Sequence, residues 1–102
     1  MPDRRIWKFP LAVTDYQTVK MPAGAKMLSV AMVRDQMVAY ALCDPNAEVQ
    51  ERTCLIVGTG NPIEEYADLE WVDTMDFIGT VQMLDGALVW HVFFGQQSGR
   101  PT

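Results

Sequence analysis

Apolar and polar residues alternate with a period of two along most of the chain, and helical periodicity is scarce. Near the N-terminus, Trp7, Phe9 and Leu11 alternate with Lys8 and Pro10. Successive side chains of a strand point to opposite faces, so this alternation predicts a strand with one apolar face. Pro10 has no amide hydrogen to donate to a neighbouring strand. This strand is therefore expected at the edge of its sheet.

Six further segments show strand patterning and are separated by turn residues; they cover residues 17–21, 26–33, 36–43, 52–59, 77–84 and 87–94. Seven short strands predict an all-β fold, a small antiparallel β-sandwich or a partly closed barrel. A chain of 102 residues has room for one core. We therefore expect a single domain over 1–102, with its core in 6–94 and a frayed tail over 95–102.

Asp85-Gly86 separates the last two predicted strands. An Asp-Gly pair supplies the two positive-φ residues of a type I′ turn, so the sequence predicts a tight two-residue hairpin here. Asn61 and Pro62, with Glu64 three residues after Asn61, suit the start of a helix. We expect at most one short helix, near residues 62–71, followed by an irregular loop.

The strands at 26–33 and 36–43 are apolar on both faces. Leu28, Val30 and Met32 share one predicted face of the first strand, whereas Val38 and Tyr40 share one face of the second. Such strands suit the centre of a sandwich or barrel, or a sheet whose outer face meets another subunit. A homo-oligomer is one outcome that this pattern allows.

Charge is distributed unevenly. Residues 1–52 have a net charge of +1 and residues 53–102 a net charge of −6, which together make the −5 of the chain. A solvated acidic loop explains this excess, and a surface that attracts a protein partner is the functional alternative. The residues of that candidate surface are Glu64, Glu65, Tyr66, Asp68, Glu70, Trp71 and Asp73. Direct binding to nucleic acid is not expected, because phosphate contacts require a basic face.

Candidate catalytic chemistry is sparse. His91, the single histidine, lies within a predicted strand, where a hydrogen-bonded structural role is favoured over catalysis. The positions of Cys43 and Cys54 allow them to lie close together across a hairpin, and free, buried thiols are favoured over a disulfide. No residue spacing suits a metal, and no cofactor is expected. The sequence therefore predicts a protein that is not an enzyme.

Gly58-Thr59-Gly60 suggests a small-molecule site, in particular a nucleotide phosphate loop. The further glycine or Lys-Ser/Thr of known phosphate motifs is absent, so a turn at the end of a strand is the favoured interpretation. No apolar run is long enough to span a membrane, and the first residues lack the apolar stretch of a secretory signal. A cytoplasmic location is expected.

Several motifs resemble those of a family of short phage and prophage proteins of unknown function. They are Trp-Lys-Phe-Pro-Leu at 7–11, Ile-Val-Gly-Thr-Gly-Asn-Pro-Ile at 56–63, Ile-Gly-Thr-Val-Gln at 78–82 and Gly-Ala-Leu-Val-Trp-His-Val-Phe at 86–93. The resemblance runs over residues 6–94, and the acidic stretch 64–76 looks like an expansion. It implies a phage or mobile-element source, expression in the bacterial host cytoplasm and no catalytic residues.

Three functions follow as expectations. The first is a non-enzymatic accessory protein that binds a host or phage protein and modulates host defence. The second is a structural or self-assembling component such as a minor virion protein, and the third is a small-molecule (nucleotide) sponge around Gly58-Thr59-Gly60.

Overall fold

The computed structural model describes residues 3–62 and 74–95 of the chain. They form seven strands and, within these ranges, no helix: β1 (Arg5–Leu11), β2 (Tyr16–Pro22), β3 (Lys26–Val33), β4 (Gln36–Cys43), β5 (Val49–Gly58), β6 (Asp76–Met83) and β7 (Leu88–Phe94). Every pairing is antiparallel. The predicted all-β class is confirmed. The short helix predicted near 62–71 falls almost wholly on residues outside the described ranges.

The strands form two sheets. One has three strands in the order β1-β4-β3, and the other has four strands in the order β2-β5-β7-β6. β3 runs alongside β6, although the two strands belong to different sheets. The fold is therefore a small β-sandwich and not a closed barrel. β1 lies at an edge, as Pro10 predicts.

A bulge in β3 changes which of its residues face the core. The register with β4 shifts between Met27 and Ser29, so Met27, Val30 and Met32 pack against the core. The predicted set, in which Leu28 shared a face with Val30 and Met32, is wrong at Leu28, which is exposed. One extra residue in a strand reverses the alternation on one side of it.

The core lies between the sheets and is closely packed. β4 contributes Met37, Ala39, Ala41 and Cys43, and these side chains are all buried. Small alanines at the centre of β4 leave space for larger residues of the facing sheet, such as Ile56 and Phe94. Burial of this apolar surface is the main stabilising contribution to the fold.

Cys43 and Cys54 are free thiols, and both are fully buried. The prediction of free, buried thiols is confirmed; they lie in different sheets, on β4 and β5, so they do not face each other across a hairpin. Burial raises the pKa of the Cys54 thiol to about 12. Burial also raises the pKa of Cys43, an effect that Arg4 partly opposes. Both thiols are therefore neutral near pH 7 and poor nucleophiles.

The pKa of Cys54 predicts a loss of stability in alkali. A thiol pKa raised from 9.0 to about 12 in the folded protein gives stability that is complete below pH 9 and declines as the pH rises toward 12. We expect Cys54→Ala to be less stable than the wild type at pH 7.5, with a smaller difference at pH 10.5. Urea unfolding at both values measures this, and a difference that is constant with pH would contradict it.

The two hairpin turns differ from each other. β3 and β4 are joined by Arg34 and Asp35, both with positive φ, in a tight two-residue turn. β6 and β7 also form the predicted hairpin, but Met83 pairs with Leu88, so the loop has four residues rather than the predicted two. Its hydrogen bonds run from Gly86 N to Met83 O and from Ala87 N to Leu84 O.

Arg52 links β5 to the backbone at Ala25 and Gly95. Its side chain is only 8% exposed and donates to the carbonyl oxygens of Gly95 (2.9 and 2.6 Å) and Ala25 (2.7 Å). Burial lowers the pKa of Arg52, and Asp76 opposes that effect. Gly95, which the sequence placed at the start of the tail, is itself buried and donates its amide to Thr53 O. The rest of the predicted tail lies outside the described residues.

Candidate functional site

The predicted acidic partner surface lies outside the residues that the structure describes. This applies to all of its members: Glu64, Glu65, Tyr66, Asp68, Glu70, Trp71 and Asp73. That surface therefore stays a prediction.

The Gly58-Thr59-Gly60 segment forms a turn at the end of β5. Asn61 N donates to Gly58 O (3.1 Å), and Gly60 has a φ of 87°. A Cβ atom on Gly58 would lie 2.9 Å from Asn61 Nδ2 and 3.2 Å from a ring carbon of Trp90. Glycine at 58 therefore allows the Trp90 ring to lie against the backbone.

Two amides of this turn are hydrogen-bonded within the protein. Thr59 N donates to Val89 O and Asn61 N to Gly58 O, so these two groups are not available to a phosphate. The groove lined by the turn and Trp90 has a volume of about 270 Å³. This lies slightly below the range of about 300–1,000 Å³ typical of small-molecule pockets. A nucleotide site here therefore stays a prediction.

His91 is held by two threonines. The Thr59 hydroxyl lies 2.7 Å from His91 Nε2, and the Thr80 hydroxyl lies 2.9 Å from His91 Nδ1. Both ring nitrogens are therefore engaged, and the imidazole ties the turn after β5 to β6 across β7. This arrangement agrees with the structural role that the sequence favoured over catalysis.

The outer face of the three-stranded sheet carries a groove that the sequence did not single out. Val38, only 2% exposed, forms its floor. Its lining consists of Lys8, Pro10, Val33, Arg34, Gln36 and Val38, and it has a volume of about 500 Å³. We call it the basic groove. It is open to solvent, and its volume is large enough for one apolar side chain of a partner.

Three strands meet at the basic groove. Pro10 of β1 pairs with Val38 of β4, which also pairs with Ala31 of β3. Gln36 fixes the end of the groove, because its Nε2 donates to Leu11 O (2.8 Å) and Met37 O (3.0 Å). The floor and one end of the groove are thus held by sheet pairing and by a bridging amide.

The charge of this groove is positive. Lys8 and Arg34 contribute cations, and no carboxylate lines the groove. Within the described residues, neither side chain has a hydrogen bond or an ion pair. The three strands of this sheet contain Arg5, Lys8 and Lys26 and no acidic residue. A cationic groove on a protein of net charge −5 attracts acidic ligands selectively.

Sequence reasoning reached part of this groove. It recognised that both faces of β3 and β4 are apolar, which is the property that forms the floor. The sequence did not predict that Lys8 and Arg34 line one groove. These residues are distant in sequence, and only the β1-β4-β3 strand order brings them together.

The loop between β6 and β7 presents a second unusual feature. Leu84 is 71% exposed and has a φ of 54°, and the next residue, Asp85, also has a φ of 54°. Large residues rarely adopt this left-handed conformation, which costs about 1–2 kcal/mol for a residue with a Cβ. Glycine or asparagine would fit the backbone better. We call these two residues the Leu84-Asp85 tip.

The fold and these surfaces define a small two-sheet β protein that presents a basic groove with an apolar floor and a protruding apolar-acidic tip. The chain belongs to the family described as Domain of unknown function (DUF7352), whose model matches residues 2–102. No curated protein and no solved structure matches the chain.

None of the described residues forms a helix long and apolar enough to cross a membrane. Among residues 3–62 and 74–95, no group of three or more His, Cys, Asp or Glu side chains is placed to hold a metal ion.

Proposed function

We propose that this protein is a non-enzymatic binding protein that takes an acidic segment of a protein partner into the basic groove. The observation that carries the proposal is the pair Lys8 and Arg34, which line the groove with the buried Val38 while no carboxylate lines it. A partner segment with one apolar side chain next to an Asp or Glu is the complementary ligand. The apolar group covers Val38, and the carboxylate meets the cations.

The composition of the groove favours a polypeptide over nucleic acid. Its floor is aliphatic, formed by Val38 with Pro10 and Val33 beside it, and no aromatic side chain lines it for base stacking. Two cations are also few, because nucleic-acid sites of useful affinity contact several phosphates. Binding of RNA instead of peptide is an outcome that the experiment below would detect.

The chemistry of the potential catalytic groups supports the non-enzymatic part of the proposal. His91 has hydroxyl partners on both ring nitrogens, and the two thiols are buried with raised pKa values. A general base or a nucleophile needs an accessible atom that is activated for reaction. Neither thiol offers one, and both ring nitrogens of His91 are occupied by threonine hydroxyls.

The setting is part of the same proposal and rests on the motifs that resemble short phage and prophage proteins. We propose a phage accessory protein that acts in the bacterial host cytoplasm on a host or phage protein and modulates host defence. Genomic neighbours test this setting, since genes of early regions or defence islands support it and morphogenesis genes favour a virion component.

Selection of peptides on the purified protein tests the groove directly. A library of random dodecapeptides should yield ligands with an apolar residue beside Asp or Glu. Lys8→Glu should weaken the best ligand about tenfold or more, because a close attractive charge pair becomes repulsive, worth about 1.5 kcal/mol or above. Fluorescence polarisation measures the affinity.

Lys20→Glu is the matched control. Lys20 is exposed on β2, an edge strand of the other sheet, so the same change of charge lies away from the groove. It should leave the peptide affinity within twofold. The proposal is wrong if the selected ligands carry no acid, if both variants weaken binding equally, or if single-stranded RNA binds with the same dependence on Lys8.

A further inference from the structure

We infer that a second copy of this chain supplies the segment that fills the basic groove, through the Leu84-Asp85 tip. The inference rests on the proposed function, because it names the partner of the same groove. The tip has the two properties that the groove selects, an exposed apolar side chain and an adjacent carboxylate. One chain therefore carries both the basic groove and a segment that is complementary to it.

The tip is shaped as a protrusion. Leu84 lies at the end of the β6-β7 hairpin, in a loop that is closed by hydrogen bonds from Gly86 to Met83 and from Ala87 to Leu84. Leu84 lines a groove of about 430 Å³ with Met32, Asp35 and Met83 of its own chain, yet it stays 71% exposed there. Its left-handed backbone and this exposure both oppose stability, so the fold of one chain does not explain a leucine at this position. Contact with a second protein surface does explain it, since the exposed side chain then becomes buried.

Charge complementarity fixes the choice of occupant. Asp85 has no hydrogen bond or ion pair within the described residues. Lys8 and Arg34, which line the groove, likewise have none there. Docking the tip in the groove places Leu84 against Val38 and Asp85 beside the cations. Pairing of two β1 edges is the less favourable alternative, because it would bring together the cationic residues Arg5 and Lys8 of both copies.

The contact is small, and we expect it to be weak. One loop in one groove buries less than a standard interface, so a dissociation constant on the order of 0.1 mM fits this size class. Self-association should therefore be visible only at high protein concentration. Sedimentation equilibrium from 10 µM to 1 mM should show an average mass that rises above 11.5 kDa.

Two variants test the tip and the groove separately. Leu84→Asn removes the apolar side chain and suits the left-handed backbone, so it should raise the melting temperature and yet weaken self-association at least tenfold. Lys8→Glu should also weaken self-association tenfold, whereas Lys20→Glu should not. A mixture of Leu84→Asn and Lys8→Glu restores one contact, because the first variant keeps an intact groove and the second an intact tip.

That mixture is the decisive measurement. Equal amounts of the two variants should form a 1:1 complex that neither variant forms alone, because the intact groove of one accepts the intact tip of the other. A monomeric wild type at 1 mM, or a mixture that behaves as the sum of its parts, overturns the inference. If selected acidic peptides still bind in a Lys8-dependent manner in that case, the proposed function stands and only the identity of the partner is wrong.

Discussion

Replacement of Arg52 by methionine is expected to lower the free energy of unfolding by about 3 kcal/mol. The methionine fills a similar volume but leaves the carbonyl oxygens of Ala25 and Gly95 buried without their donors. Each buried polar group that loses its partner costs about 1–3 kcal/mol. Urea unfolding should show a lower midpoint with an unchanged slope.

Two further variants separate this mechanism from a general loss of charge. Arg52→Lys keeps the cation but cannot reach both carbonyls with a fork of donors, so it should cost about 1–2 kcal/mol. Lys20→Met removes an exposed cation and should change stability by less than about 0.5 kcal/mol. Amide exchange at Gly95 should be faster in Arg52→Met. Equal stability of Arg52→Met and the wild type would show that the three hydrogen bonds contribute nothing net.

Gly79→Ala is expected to destabilise the protein by about 2 kcal/mol, because the site has no room for a Cβ atom. That atom would lie 2.8 Å from Val30 Cγ1, across the contact between β6 and β3. The valine side chain is short and stiff, so it cannot move aside without a strained rotamer. Gly79 also follows the bulge in β6 and has a φ of 156°. Thermal unfolding measures the loss.

A double-mutant cycle with Val30→Ala tests the cause. Removal of Cγ1 gives the new methyl group its space, so Gly79→Ala should cost about 1 kcal/mol less in the Val30→Ala background than in the wild type. Gly24→Ala is the control for backbone strain alone, since Gly24 has a φ of 77° and open space around it. If Gly79→Ala lowers the free energy of unfolding equally in the wild type and in the Val30→Ala background, a clash with Val30 is not the cause of the loss.

Local patterning accounts for much of the fold. The bounds of β3 and β4 agree with the predicted segments at both ends, because alternation is continuous there and the Arg34-Asp35 turn is tight. Prediction failed where extra residues changed the pairing between strands. The bulge at Leu28 reversed one face of β3, and the four-residue loop replaced the predicted two-residue turn at Asp85-Gly86. Both depend on pairing energies that a local pattern does not contain.

The features of the candidate site were likewise predicted only in part. A hydrogen-bonded His91 and a turn at Gly58 were anticipated from residue type and position, and the structure adds the contacts with Thr59, Thr80 and Trp90. The acidic partner surface stays a prediction. The basic groove was not anticipated, because no segment of the sequence contains it.

By itself, the sequence determined the strands, the all-β class, the buried free thiols and the uneven distribution of charge. These follow from the side-chain period of a strand, from transfer of apolar groups out of water and from composition. Only the tertiary structure decided that β4 lies between β1 and β3, which brings Lys8 and Arg34 to one groove, and that Leu84 protrudes at a hairpin tip. Such neighbours depend on contacts between distant segments, and the balance of those contacts is a property of the whole folded chain.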